Sequence, residues 1–258
     1  MNAFFKELIQ GLQFHIVAIK FIHRERLYPW LLLPIVLNII LFALTVSLGW
    51  ELSDRLSQFV TSWFGETESF WTDILKWTFL IISRVLVFFI YALFYKNLVF
   101  IILSPVLAFL SEKADERATG KVHPFSWAQL LRDVIRGVRL AVRNLFIEIG
   151  LTLLLLLFGF VPIVGLISPF LILAMQSYFY GFSMLDYSCE RYKMNTRESV
   201  QFVRQHKGLA IGLGLAFYSL FLLPYIGWIL APVVGIVAGT LVFIKIKKPE
   251  DLKSSGFE

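Results

Sequence analysis

Four arginines in one short stretch, Arg132, Arg136, Arg139 and Arg143, are spaced four, three and four residues apart. At 100° per residue of helix they fall within about 60° of one another. A guanidinium presents a rigid planar fork of N–H donors that matches phosphate and other oxyanions. The stripe therefore reads as a surface for lipid phosphates, with a vestibule for a soluble anion as the other reading. Two more cations, Arg24 and Arg26, stand just ahead of the uncharged run Trp30–Trp50. At the N-terminal end of a helix, free N–H groups and the dipole favour negative charge. The pair thus reads either as an anion-catching element or as ordinary headgroup anchoring. Arg84 interrupts a second apolar run, where a charge demands a cavity, a carboxylate or backbone carbonyls. Asn38 lies inside the first run and either lines a polar path or bonds a neighbouring helix.

Catalysis is not written in these residues. There is no Gly-x-Ser-x-Gly elbow, no His-Glu-x-x-His and no pair of acids within an apolar run. The histidines, His15, His23, His123 and His206, lack ligand spacing, and Cys189 is the only cysteine. No catalytic residue, metal site or cofactor is expected, and no disulfide within the chain. No basic-and-aromatic recognition module is present, which argues against nucleic acid as a partner.

The elements that must position these residues are apolar. Of 258 residues, 58% are hydrophobic and 16% charged, against about 25% charged in a soluble domain. Mean hydropathy is +0.74. Ile149–Leu185 and Gly208–Ile244 each run 37 residues without a charge. As single helices they would be roughly 55 Å long, against a hydrocarbon core of about 30 Å. Each is interrupted near its middle, by Pro162, Gly165 and Pro169 in the first and by Pro224, Gly227 and Pro232 in the second. These breakers are expected at the turns of two membrane hairpins, over 147–188 and 208–246. Backbone turning at membrane depth must be covered by protein or line a cavity. The fold expected is an all-α integral membrane protein: two long transmembrane helices, 30–50 and 77–103, plus the two Pro/Gly-broken hairpins. Amphipathic interfacial helices accompany them at 2–22 and, carrying the arginine stripe, at 126–144. In the first of these Phe5, Leu8, Ile9, Leu12, Ile16 and Ile19 form the apolar stripe. One membrane domain is expected over 1–246, with a cytosolic tail at 247–258. Lys6, Glu7 and Lys20 interrupt the N-terminal segment, so no cleaved signal is expected there.

Charge sets the orientation. Residues 51–73 carry five acids and only Arg55 as a base, while the basic segments flank the other apolar runs. If both hairpins return to their side of origin, all the basic segments share one face. The positive-inside rule makes that face cytosolic, with both termini inside a multi-pass protein of the cytoplasmic membrane.

Three motifs carry a resemblance. Leu33-Pro34-Ile-Val-Leu-Asn38 is similar to a Leu-Pro-x-x-x-Asn element in a first long helix. Ser104-Pro105 is followed by Leu110-Ser-Glu112 and by Glu116-Arg117-Ala-Thr-Gly120, and Asp186-Tyr187 closes the first hairpin ahead of a basic connector. In this order and spacing they resemble the CysZ sulfate-permease family, which shares a domain with the etoposide-induced membrane proteins, over roughly residues 10–245. The resemblance implies two long membrane helices with two partly inserted hairpins, a homo-oligomer, and passage of sulfate into the cytosol. The family's anion-binding element, Gly-x-Arg-Arg-like, corresponds here to Arg26-Leu27-Tyr28-Pro29, so the arginine pair is absent in register. Arg24 and Arg26 are the cations available a few residues upstream. Two functions follow as expectations: a permease for sulfate or another small inorganic anion, using Arg24, Arg26, Asn38 and Arg84, or a non-transport membrane protein organising lipids or partner proteins. The lipid bilayer is a partner in either.

Overall fold

A computed structural model of the chain describes residues 3–62, 73–85, 87, 102–121, 127–159, 161–223, 226–247 and 250. The described elements are helices: α1 (Ala3–Arg24), α2 (Tyr28–Thr61), α3 (73–85), α4 (Ser104–Thr119), α5 (Trp127–Phe158), α6 (Pro162–Arg191), α7 (Thr196–Gln205), α8 (Lys207–Phe221) and α9 (Ile226–Lys247). Among the described residues, four segments are long and apolar enough to cross a membrane: Tyr28–Phe59, Ile135–Phe158, Gly165–Arg191 and Leu230–Lys247. Most of the expected helix 77–103, the acidic residues 63–72, Pro224 and the tail beyond Glu250 lie outside the described residues.

The chain forms two compact units, one of residues 1–36 and 100–258 and one of 37–99. In the first, α9 is the central helix. Every residue from Ala231 to Ile244 is buried, and α1, α4, α6 and α8 all pack on it. A helix apolar on all sides needs such a sheath. α8 lies between α1 and α6, and glycine makes this approach possible. A Cβ on Gly11 would stand 2.6 Å from the Leu209 carbonyl, and one on Gly214 would overlap the Ser177 carbonyl. Small residues let helix backbones meet where bulky ones cannot.

Helix ends follow local chemistry. Pro105 sits in the first turn of α4, and Gly120 closes that helix at φ 79°. Asn195 caps α7, accepting from Glu198 N–H while Glu198 accepts from Asn195 N–H, a reciprocal capping box.

The breakers are arranged differently from the sequence expectation. Gly159 N–H donates to the Leu155 carbonyl and Val161 N–H to the Phe158 carbonyl as the chain leaves α5, and Pro162 is the first residue of α6, where a missing N–H costs nothing. Gly165 lies in the following helical turn, against the Gly159 backbone. Pro169 is inside α6. It leaves the Gly165 carbonyl without its helical donor, and Ser168 Oγ supplies one at 3.3 Å. Gly227 falls in the first turn of α9 and Pro232 within it. Among the described residues, the breakers therefore stand at the start of a helix or inside one. α5 carries the arginine stripe and the apolar segment to Phe158 in one unbroken helix. α1 buries Gly11, Phe14, Ala18 and Phe21, while Phe5, Ile9, Ile16 and Ile19 of its bulky stripe stay exposed.

Candidate functional site

Arg24 and Arg26 stand at the corner between α1 and α2. Leu27 N–H donates to the Ile22 carbonyl at 3.1 Å and Arg26 N–H to the His23 carbonyl at 3.3 Å. These are the two bonds of a Schellman cap, whose penultimate position is left-handed and normally glycine. Arg26 occupies it at φ 52°. This is the residue that the resemblance aligns with the family's glycine. Leu27 is fully buried, and Trp30 N–H donates to its carbonyl at 3.0 Å as α2 begins. His23 Nδ1 meets the Tyr28 hydroxyl at 2.5 Å and braces the corner.

The corner is electropositive. Arg24 lies 3.1 Å from Glu25 and 5.6 Å over the Phe21 ring. Arg26 is exposed and makes no ion pair among the described residues. Lys113 of α4 stands 5.4 Å over Trp30 and pairs with Glu116 at 2.6 Å. The N-terminal end of α2 adds its own partial positive charge. An oxyanion here would meet exposed guanidinium donors and a favourable dipole. Lys113 escaped the sequence reading because 83 residues separate it from Trp30.

Asn38 and Arg84 belong to the second unit. Asn38 is buried, 1% exposed. Arg84 donates to Asp54 at 3.3 Å and lies 5.2 Å over the Trp50 ring. Asp54 is sixteen residues along α2 from Asn38, roughly 24 Å of helix. The structure therefore does not bring Arg84 to Asn38. It gives the arginine a carboxylate and an aromatic face, two of the partners such a charge requires.

The stripe on α5 divides. Arg132, Arg139 and Arg143 are exposed. Arg136 is 18% exposed and ties three helices together. It donates to both Asp186 oxygens of α6, at 3.0 and 3.2 Å, and to Ser199 Oγ of α7 at 2.6 Å, with Glu190 at 3.4 Å. A second buried pair joins α4, α6 and α9. Arg191 lies 3.4 Å from Asp115, which is fully buried, and donates to the carbonyl and hydroxyl of Ser111. Ser111 Oγ meets Thr240 Oγ1 at 2.8 Å. The partners in each pair are at least fifty residues apart, so no local spacing announces them. Removing one partner of such a pair is strongly destabilising.

Comparison with known proteins places the chain. The family model described as Sulfate transporter CysZ/Etoposide-induced protein 2.4 matches residues 15–232. A protein named Sulfate transporter CysZ from Pseudomonas aeruginosa (strain LESB58) is 27% identical over 237 residues, covering 91% of this chain and 94% of the relative. The protein of that name from Pseudomonas fluorescens (strain Pf0-1) is 24% identical, covering 95% and 97%. That from Vibrio parahaemolyticus is 26% identical, covering 86% and 90%. The match takes in α2, the α4 segment with Ser104-Pro105, the arginine-bearing helix α5 and most of both interrupted apolar stretches, and the chain belongs to the Sulfate transporter CysZ/Etoposide-induced protein 2.4 family.

Proposed function

We propose that this chain is a permease that admits sulfate or a similar small oxyanion across the cytoplasmic membrane. The observation that carries the reading is Arg26, an exposed cation held in a left-handed conformation ahead of the α2 N-terminus. Left-handed backbone is costly for an arginine, and such strain clusters at functional sites. The names of the relatives and the four apolar helices support the same reading. Arg24 and Arg26 collect the anion, and Asn38 and Arg84 are the further polar residues that serve its passage. Selectivity comes from arginine and helix N-termini in place of a ring of carboxylates.

The membrane placement belongs to the same proposal. A single membrane domain covers 1–246, with 247–258 as a cytosolic tail and both termini inside. The helices near 30–50 and 77–103 span, α5–α6 and α8–α9 form hairpins, and Phe5, Ile9, Ile16 and Ile19 of α1 meet the bilayer interface. Copies of the chain assemble into a homo-oligomer. The exposed cations Arg132, Arg139 and Arg143 favour a second reading, a lipid- or partner-organising protein without transport. The two readings separate in liposomes. Arg24→Ala, Arg26→Ala or Arg84→Ala lowers labelled-sulfate flux without loss of folded protein. Unchanged flux in all three variants overturns the site, and lipid binding through the α5 arginines without any solute flux favours the second reading.

A further inference from the structure

Four cations gather where α5, α7 and α8 meet. Arg143, Arg197, Arg204 and Lys207 line an open pocket of about 660 Å³, to which Thr196 and Gln201 add neutral donors. Among the described residues, no carboxylate lines it. Elsewhere Arg55, Arg84, Arg136 and Arg191 each stand beside an acid. Among the described residues the four pocket cations make no ion pair. Arg143 of α5 and Arg204 of α7 come from different helices to line the same pocket. Like charges brought together repel unless an anion lies between them.

The pocket is built on a fixed wall. α7 is held by its capping box and buries Ser199, Phe202 and Val203 on its inner face, which leaves Arg197 and Arg204 exposed. Beyond Arg143, Asn144 and Glu148 are buried while α5 exposes apolar residues: Phe146 is 70% exposed and Leu153 56%. A soluble ion has no use for that surface, whereas an acyl chain does. The pocket is also larger than one tetrahedral oxyanion fills, and its volume suits a headgroup.

We propose that this pocket binds the headgroup of an anionic phospholipid, its phosphate held by Arg197, Arg204, Arg143 and Lys207 and its acyl chains lying along the exposed face of α5. The phosphodiester supplies the missing counter-charge, and the site sits at the junction of polar connector and apolar helix where a headgroup lies.

The test uses the purified full chain in neutral detergent. Dioctanoyl phosphatidylglycerol, dioctanoyl phosphatidylcholine, inorganic phosphate and sulfate are titrated separately, with binding read by native mass spectrometry and thermal shift. Phosphatidylglycerol is expected to bind and raise the unfolding temperature, and the zwitterionic lipid is not. Arg197→Gln/Arg204→Gln weakens that binding roughly 30-fold, from the usual contribution of two cations at a membrane surface. Arg197→Lys/Arg204→Lys retains most of it, which separates loss of charge from loss of fold. Arg117→Gln/Lys121→Gln, exposed cations outside the pocket, binds as the unaltered chain does. Equal binding in the Arg197/Arg204 Gln pair, or equal loss in the Arg117/Lys121 pair, overturns the site. Binding of inorganic phosphate or sulfate as tight as that of the lipid overturns the lipid assignment and makes the pocket a free-oxyanion site.

Discussion

Replacing Arg26 by glycine should make the protein more stable and less active. Arg26 adopts φ 52°, and left-handed backbone costs a residue with a Cβ roughly 1–2 kcal/mol. Glycine removes that cost but adds unfolded-chain entropy worth about 0.4–1 kcal/mol. The exposed side chain has no ion pair among the described residues to lose. The net gain is about 0.5–1 kcal/mol, or roughly 1–4 °C in unfolding temperature for a chain of this size. Gly120, at φ 79° in the corresponding cap of α4, provides the mirror experiment, since Gly120→Ala should lose stability. Thermal unfolding in detergent measures both variants, and labelled-sulfate uptake into liposomes measures activity of the first. Higher stability with reduced uptake is the expected pair of results. A fall in unfolding temperature for Arg26→Gly refutes the strain argument, and undiminished uptake refutes the claim that the cation is held there for function.

Other perturbations have equally defined outcomes. His15 is buried in α1, and burial lowers its pKa to about 4. The unfolded chain therefore binds the proton first, so stability is complete above about pH 6.5 and falls as the pH drops towards 4, by about 3 kcal/mol. His15→Leu should flatten that part of the pH–stability curve, and an unchanged slope counts against it. Asp115→Leu strands the Arg191 guanidinium and should cost about 3–5 kcal/mol. Asp115→Leu/Arg191→Met should cost less in the same melting assay, and equal losses would show that the pair is not coupled. Gly214→Val drives a side chain into the Ser177 carbonyl and should cost about 3 kcal/mol. Gly137→Ala meets nothing within 4 Å and should gain about 0.5–1 kcal/mol. A well-tolerated valine at 214 would contradict the close packing of α6 and α8.

Much of the helical plan was legible because its signals are local. The uncharged runs, Pro105 at the start of α4, Gly120 at its end and the connector ahead of α8 all lie within a few residues of what they determine. α2 runs past Trp50 to Thr61 because polar residues that look like a loop continue the helix, with Glu51 and Arg55 paired one turn apart at 2.5 Å. The buried face of α1 was hidden because Gly11 and Ala18 provide close contact without bulk, while the larger residues point elsewhere. The arginine stripe has the right period, yet Arg136 leaves it for Asp186, a partner on another helix. Positions of the turns were misleading because proline is tolerated at the start of a helix, and Ser168 lets Pro169 stay inside one. At the α1–α2 corner the sequence shows two arginines, but only the backbone shows that one stands where glycine is expected.

The most direct test of the central claim is uptake of labelled sulfate into liposomes holding the purified, correctly inserted protein, compared with protein-free liposomes of the same lipid. The account predicts uptake well above the protein-free rate, reduced in the Arg24→Ala/Arg26→Ala variant. Uptake no faster than in protein-free liposomes, from protein shown to be folded, would contradict it.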